Sequence, residues 1–284
     1  MTHHDQDAQN ALAEAITALN KACGADTGTT SADPTRLATV VARVTGIAAN
    51  LTKVIDSLTT SARRMSEQAD DAAVAEAHHD TRLAGRAAAR TARALHRNLL
   101  AVHALAWDAR DITVRTSTHK PSGTVVDIRD LLQTAEMRLA GAAQHITADP
   151  IVLAWIAIAL TGVNDRLIDL TDGCAKAAGR LKEQSTAPAV QAAHSDTERA
   201  AVIAARSAHS LRRNLATAQT CSEQARAVAV RKCPECGEAA IPQTPHDLTP
   251  GQRRATRKPA WSHRDGTQLC PVVGRDGYEP AQPA

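Results

Sequence analysis

Apolar side chains recur every three or four residues through most of this chain, which is the spacing of a buried helical face. The first such stretch, residues 8–22, predicts a short helix. A second begins at Asp33-Pro34, where Asp is a favoured N-cap and Pro suits the first helical position because its missing N–H would have no partner there. We therefore predict a long helix from Pro34 to about Gln68. Its apolar positions are Leu37, Val41, Val44, Ala48, Leu51, Ile55, Leu58 and Met65.

A third helical pattern extends from about Ala72 to about Ile112. Its start is ambiguous between Ala72 and Asp80-Thr81, because the corresponding stretch later in the chain has both a capping box and a proline start signal. The connection to the preceding helix is short, so the two helices should form an antiparallel hairpin. Its apolar positions are Leu83, Ala87, Ala88, Leu95, Leu99, Val102 and Ala106.

The same plan then repeats. Residues 33–110 align with residues 149–226 without a gap, and 29 of the 78 aligned positions are identical. Asp-Pro, Thr-Gly, Glu-Gln and Arg-Asn-Leu recur in one register, which a shared richness in alanine would not produce. A period this long indicates a duplicated, domain-sized unit. The second copy predicts helices that start near Val126, at Pro150 after an Asp149 cap, and at Pro188 or Ser195, with the last ending near Val230.

The long helix of the second copy differs from that of the first. Residues 151–160 are apolar nearly all round, whereas residues 35–44 carry two arginines. A helix that is apolar on every side should be covered on every side. We therefore expect the second long helix at the centre of the assembly or, failing that, in a dimer interface.

Composition supports a helical body followed by a different module. Aromatic residues make up 1% of the chain and there is no Phe, which disfavours a β-sandwich or barrel. From about residue 231 the helical period stops, and eight of the twelve prolines lie beyond that point. The expected fold is all-α, with two tandem duplicated three-helix units of long antiparallel helices and a small C-terminal zinc ribbon. The expected boundaries are 1–115 and 124–230 for the repeat units, 116–123 for the linker, 231–277 for the module and 278–284 for a disordered tail.

Net charge and cysteine content indicate which partners and which cellular compartment to expect. The formal net charge of +3 is too small to indicate nucleic acid by itself. The first residues show no basic region followed by an apolar run, so no signal peptide is expected, and residues 151–160 are too few to cross a bilayer. Six cysteines in 284 residues, two of them as Cys-x-x-Cys, favour a reducing compartment and a metal. We expect a cytoplasmic protein with no membrane partner.

The candidate chemistry lies in the tail. In Cys233-Pro234-Glu235-Cys236-Gly237 the spacing lets two thiolates converge on one ion, and Gly permits the left-handed backbone that such a turn needs. A hairpin around Asp265-Gly266, a strong turn signal, should supply two further ligands. The expected tetrahedral set is Cys233, Cys236, His263 and Cys270, binding one Zn²⁺ per chain. Four protein ligands leave no open position, so the zinc should be structural and should supply most of the folding energy of this segment.

Part of the tail resembles known zinc-binding segments. The Cys-x-x-Cys-Gly turn resembles the zinc knuckle of zinc-ribbon modules. The Trp-Ser-His, Asp-Gly-Thr and Leu-Cys-Pro segments look like the zinc-binding tails of actinomycete proteins of uncertain function. The resemblance covers residues 231–273 and implies no activity. The alternatives are a redox pair or two idle thiols, although a redox Cys-x-x-Cys normally lies where a strand meets a helix.

A basic run separates the two ligand pairs and consists of Arg253, Arg254, Arg257 and Lys258. Such a run can contact phosphate and so offers a nucleic-acid-binding surface. A solvated loop is the plainer explanation of a short charge run. Three thiolates and one Zn²⁺ also give the metal site a net charge of about −1, which disfavours binding to nucleic acid.

Several polar residues recur in both copies. His78, followed by His79-Asp80, matches His194, but neither helix has the Glu-x-x-His pattern of helical di-metal sites, so solvated or capping histidines are expected. Arg90, Arg97, Asn98 and Arg110 match Arg206, Arg213, Asn214 and Arg226. These pairs fit a binding site or interhelical hydrogen bonds that fix register, and we favour the structural role.

These observations favour a non-enzymatic helical interaction or scaffold protein with a structural zinc-binding module. Its surface would meet a protein partner or a second copy of the chain. One alternative is a DNA-associated factor that uses the zinc ribbon and the arginine-rich loop. The other is a helical-bundle metalloenzyme.

Overall fold

The computed structural model describes the body at residues 3–26, 33–69, 72–116, 126–146 and 149–229. In the tail it describes residues 232–238, 240–241, 243–250, 252, 259–263, 265–274, 277–281 and 283. Contacts divide the chain into two compact units, Met1–Glu223 and Gln224–Ala284. The finer boundaries between repeat units stay predictions.

Six helices account for most of the described residues, so the prediction of a mainly α-helical chain is confirmed. They are α1 (His3–Asp26), α2 (Pro34–Gln68), α3 (Ala72–Thr116), α4 (Val126–Ala142), α5 (Pro150–Gln184) and α6 (Pro188–Ala229). The two ambiguous starts are therefore at Ala72 and Pro188. α1 is longer than the predicted residues 8–22, since hydrophobic spacing does not register polar end turns such as the one where Gln6 Nε2 donates to Asn10 Oδ1 at 3.1 Å.

The two long central helices begin at caps that the sequence predicts. The Asp33 carboxylate accepts a hydrogen bond from the backbone N of Thr35 at 2.8 Å. The Asp149 carboxylate accepts one from Ile151 N at 2.7 Å. In each case the carboxylate satisfies an amide that has no partner inside the helix, and the following proline begins the helix with a preset φ.

A buried core within the body draws residues from all six helices. α1 packs against α4 and α5, whereas α4 packs against α1 and α2, and α2 also packs against α3 and α5. α1 and α4 each precede one of the two aligned segments, residues 33–110 and 149–226. The helix before each segment lies against the long helix of the other segment, α1 against α5 and α4 against α2, and one core joins the two halves.

α3 and α6 lie antiparallel and exchange equivalent hydrogen bonds. Asn98 Nδ2 donates to Ser207 Oγ at 2.8 Å, and Asn214 Nδ2 donates to Thr91 Oγ1 at 3.2 Å. In the repeat alignment Asn98 matches Asn214 and Thr91 matches Ser207, so one contact occurs twice with its roles exchanged. The interhelical role predicted for these asparagines is confirmed.

Two predictions of buried faces need correction. Leu83 was expected on the buried stripe of α3 but is 47% exposed. A Cβ at Gly85 would lie 2.6 Å from Thr59 Oγ1, so Gly85 faces α2. Leu83 lies about 200° from Gly85 around the helix and therefore faces away from α2. On α5 the apolar segment is not covered on all sides, because Ile151 and Ile158 are 51% and 47% exposed.

α2 and α5 are also long and apolar enough to cross a membrane by length and composition alone. More than half of the most apolar window of each helix is buried inside the body. A core helix passes the same test of composition, and the cytoplasmic location stays a prediction.

The described tail contains two small antiparallel sheets. β1 (Ala240–Ile241) pairs with β2 (Ser262–His263), and β3 (Pro271–Gly274) pairs with β4 (Gly277–Pro280). β4 lies in the segment that was expected to be disordered from residue 278. The β-branched Val272 and Val273 favour a strand here, and Val272 pairs with Glu279.

Candidate metal centre

The tail brings together four side chains that could hold a metal ion. The ligand atoms of Cys233, Cys236, His263 and Cys270 all lie within 4.8 Å of one another. Cys233 and His263 are buried, Cys270 is half-buried and Cys236 is exposed. The four residues proposed from the sequence as one set are therefore neighbours, although His263 lies 27 residues after Cys236.

A tight turn presents the first two sulfur atoms. Gly237 N donates to Cys233 O at 2.8 Å, and Cys233 N donates to Glu238 O at 2.8 Å. Gly237 has a φ of 73°, in the left-handed region that favours glycine. No heavy atom lies within 4 Å of the Cβ position at Gly237, so glycine is needed there for its conformation and not for space.

A hairpin presents the other two ligands. His263 N donates to Thr267 O at 2.8 Å, and Gly266 N donates back to His263 O at 2.9 Å. Asp265 Oδ1 accepts from Thr267 N at 2.9 Å, which closes the turn from inside. Because β2 pairs His263 with Ala240, the hairpin is held beside the strand that follows the Cys-x-x-Cys turn.

The separations suit a tetrahedral ion. His263 Nε2 lies 3.7 Å from Cys270 Sγ and 3.9 Å from Cys236 Sγ. With Zn–S bonds of about 2.3 Å and Zn–N bonds of about 2.0 Å, tetrahedral geometry places sulfur and nitrogen about 3.5 Å apart. The two distances from His263 Nε2 exceed this value by only a few tenths of an ångström.

Glu238 decides which histidine nitrogen faces the cluster. The two ring nitrogens are at nearly equal distances from Cys236 Sγ, with Nδ1 at 4.0 Å. However, His263 Nδ1 lies 3.0 Å from Glu238 Oε2, which leaves Nε2 for the sulfur side. A carboxylate on the second nitrogen of a metal-binding histidine fixes its tautomer and raises its basicity. The role of Glu238 is not evident from the sequence, because its contact with His263 crosses 25 positions of the chain.

The thiol pKa values show how closely the sulfur atoms are crowded. Burial raises the pKa of the Cys233 thiol, but hydrogen bonds from the backbone N–H groups of Cys236, Glu235 and Cys270 outweigh burial and lower it to about 7. The side chain of Cys236, together with burial and the Cys233 side chain, raises the pKa of Cys270 to about 11. A divalent cation would offset this mutual repulsion and let all three thiols ionise, as metal ligation requires.

This donor set is consistent with zinc. Three thiolates and one imidazole are soft to intermediate ligands, which suit Zn²⁺, whereas magnesium and calcium prefer oxygen. Four protein donors fill a tetrahedral shell and leave no position for water or substrate. The chemistry that the arrangement supports is therefore the clamping of two chain segments around an ion.

Other candidate residues have different outcomes. Arg253, Arg254, Arg257 and Lys258 lie outside the described residues. His78 and His194, expected to be solvated or capping, are each only 1% exposed. The Oγ1 atom of Thr113 lies 3.3 Å from His194 Nε2, and among the described residues no group hydrogen-bonds either ring nitrogen of His78. Burial lowers the pKa of both histidines.

No protein-family model, curated protein or solved structure matches this chain. The candidate functions therefore depend on the geometry of the cluster and on the surfaces of the helical body.

Proposed function

We propose that this chain is a non-enzymatic interaction protein in which a helical body carries a C-terminal module folded around one structural zinc ion. The convergence of Cys233, Cys236, His263 and Cys270 carries this proposal. The turn at Gly237 and the hairpin at Gly266 support a zinc-ribbon arrangement of the two ligand pairs.

The small interior of the tail supports a folding role for the metal. Its described core consists of Cys233, Ala240, Leu269 and Ala281, with Trp261, Cys270 and Val272 packed against it. Two of these residues are themselves ligands. So few apolar side chains supply little hydrophobic stabilisation, and small modules of this kind depend on a metal or on disulfides.

The duplicated architecture is the second part of the proposal. The reciprocal contacts of Asn98 and Asn214, and the matching positions of α1 and α4, support an origin of the body from two copies of one unit. The body then has a twofold-like interior with different outer surfaces. A scaffold of this kind offers rigid helices on which contact residues can vary.

An exposed apolar stripe on α5 supports the interaction role. Ile151, Trp155 and Ile158 have i, i+4, i+7 spacing and so lie on one face of the helix. Trp155 is half-buried, whereas Ile151 and Ile158 are 51% and 47% exposed. Exposed apolar residues grouped on one face are typical of contact surfaces, which favours a protein partner or a second copy of the chain.

Zinc analysis of the purified full chain tests the proposal. We expect about one zinc ion per chain, lost in Cys233→Ser and in Cys270→Ser, because three ligands hold zinc far more weakly than four. Cys221→Ser is the matched control, since Cys221 lies in α6 outside the cluster and should leave the zinc content unchanged. Zinc that persists in Cys233→Ser would contradict this assignment and would favour a metal site in the helical body.

The nucleic-acid alternative depends on the basic run at residues 253–258. A variant with alanine at Arg253, Arg254, Arg257 and Lys258 separates it from the main proposal. Salt-dependent retention of the wild-type chain on DNA, lost in this variant, would favour a DNA-associated factor. Absence of retention at low salt would favour protein contact alone.

A further inference from the structure

The outer surface between α2 and α3 contains a groove with a volume of about 440 Å³. Of the described residues, five arginines and a single carboxylate line it: Arg63, Arg82, Arg86, Arg90, Arg93 and Asp56. Thr59 also lines it, close to the point where Gly85 lets the two helices approach. The groove is therefore a walled depression between two packed helices with a strongly cationic lining.

The arginines form a row. Arg82, Arg86 and Arg90 are four residues apart and Arg93 follows three later, so their side chains project from one face of α3. The row is about 16 Å long at 1.5 Å per residue. Like charges at this spacing repel one another, which means that the row destabilises α3 unless an anion offsets it.

The described residues supply few anions to this row. Arg93 lies 2.6 Å from Asp56, and Arg63 lies 3.3 Å from Glu67. Arg82 Nη2 lies 3.1 Å from His79 Nδ1, and its buried Nε has no acceptor among the described residues. Arg86 and Arg90 are exposed, and within the described part of the chain neither forms an ion pair.

The second copy provides an internal comparison. At the five positions that match Arg63, Arg82, Arg86, Arg90 and Arg93 it has Gly179, Glu198, Val202, Arg206 and His209. The same pair of helices therefore forms without the arginine row, so folding does not require it. Only the pair Arg90 and Arg206 is shared.

We propose that this groove binds a small soluble ligand that carries a run of phosphate groups, as in a nucleoside triphosphate or tripolyphosphate. Guanidinium groups pair with phosphate oxygens through two parallel hydrogen bonds, and the row presents several in succession. The volume falls in the range of small-molecule sites. Residues 1–230 hold 25 basic and 24 acidic residues, so the body as a whole is close to neutral. A polyanion that extended past the groove would gain little further attraction, which favours a small ligand over a long polyanion. The site lies in the helical body, and the inference is independent of the proposed zinc module.

Calorimetric titration of the full chain with sodium tripolyphosphate, ATP and a single-stranded oligonucleotide tests this assignment. We expect saturable binding of tripolyphosphate or ATP that weakens as salt rises to about 0.15 M, where screening acts over about 8 Å. Preference between the two identifies the source of the phosphates. The double variant Arg86→Ala, Arg90→Ala should weaken binding at least about tenfold, because it removes charge-assisted hydrogen bonds, which are stronger than neutral ones.

Arg206→Ala is the matched control, since Arg206 is the counterpart of Arg90 outside the groove. Both positions are exposed on long helices where alanine is favoured, so the variants should keep their helical content. An equal loss of affinity in Arg206→Ala would overturn the proposal, as would the absence of tripolyphosphate and ATP binding at low salt. Tighter binding of the oligonucleotide through Arg86 and Arg90 would also overturn it, in favour of a nucleic-acid surface.

Discussion

At the scale of single residues, Glu238 has the clearest influence on the candidate metal centre. Its side chain is 70% exposed, yet it contacts Nδ1 of a histidine that is 7% exposed. The contact orients the ring so that Nε2 faces the sulfur atoms. An exposed carboxylate thereby controls the orientation of a buried histidine in the candidate metal centre.

Glu238→Gln should therefore weaken zinc binding without abolishing it. Loss of such a partner typically lowers metal affinity by about 10- to 100-fold, because the imidazole becomes less basic and less well oriented. Competition with a chromogenic chelator measures the affinity. Glu235→Gln is the control, since Glu235 is an exposed neighbour in the same turn, and an equal effect in both variants would show that Glu238 acts only through general charge.

The ligand set illustrates what single residues reveal in the sequence. Cys233 and Cys236 are recognisable from spacing, and Asp265-Gly266 indicates the turn that carries the other ligands. Glu238 is not recognisable, because no local pattern links it to a histidine 25 positions later. Contacts of this kind depend on strand pairing, which a linear pattern does not encode.

At the scale of secondary-structure elements, helix starts are the most predictable feature. An Asp-Pro pair identifies the starts of α2 and α5 because cap chemistry is local. Burial along α3 is less predictable: Gly85 lies against α2, and Leu83, two residues earlier, lies on the other side of the helix. The burial of His78 and His194 is likewise not predictable from local spacing, since burial depends on tertiary packing; Thr113 of α3, for example, lies against His194 of α6.

The burial of His78 in α3 and of His194 in α6 should make the stability of the helical body depend on pH. Burial lowers their pKa from the ordinary value of 6.5. The unfolded chain therefore binds protons more readily below pH 6.5, so stability present above that pH should fall as the pH drops from 6.5 toward the folded pKa. Each histidine should steepen the fall by up to about 1.4 kcal/mol per pH unit.

Urea unfolding of the helical signal between about pH 7.5 and about pH 5.5 measures this slope. The double variant His78→Gln, His194→Gln should show a shallower slope than the wild type, whatever its absolute stability. His79→Gln is the control because His79 is exposed, and it should keep the wild-type slope. An unchanged slope in the double variant would contradict a role for the buried pair.

At the scale of the whole molecule, the packing of α1 against α5 and of α4 against α2 could not be predicted from the sequence. Hydrophobic spacing predicts six helices and their apolar faces, and the repeat alignment matches α2 and α3 with α5 and α6. Neither says that α1 lies against α5 and α4 against α2. Which long helix each short helix packs against depends on contacts between the two halves. The halves are similar in sequence, so their surfaces do not distinguish the two arrangements.

The packing of α1 and α4 against the opposite halves has a direct test. Residues 1–116 alone would leave α1 without α4 and α5, and α2 without α4 and α5, so their apolar faces would be exposed to water. We expect this fragment to dimerise or aggregate through those faces, whereas residues 1–230 should stay soluble and unfold in one cooperative transition. Light scattering coupled to size exclusion and thermal unfolding measure both, and a stable monomeric 1–116 fragment would show that each half folds independently.

The arrangement of α1 and α4 also bears on how such a molecule diversifies. A chain of half this length would have to pack its short helix against a second, identical chain, and the two would form a symmetric dimer. In such a pair every substitution appears on both sides at once. Two similar halves within one polypeptide are free of that restriction, and accordingly α3 carries Arg82 and Arg86 where α6 carries Glu198 and Val202.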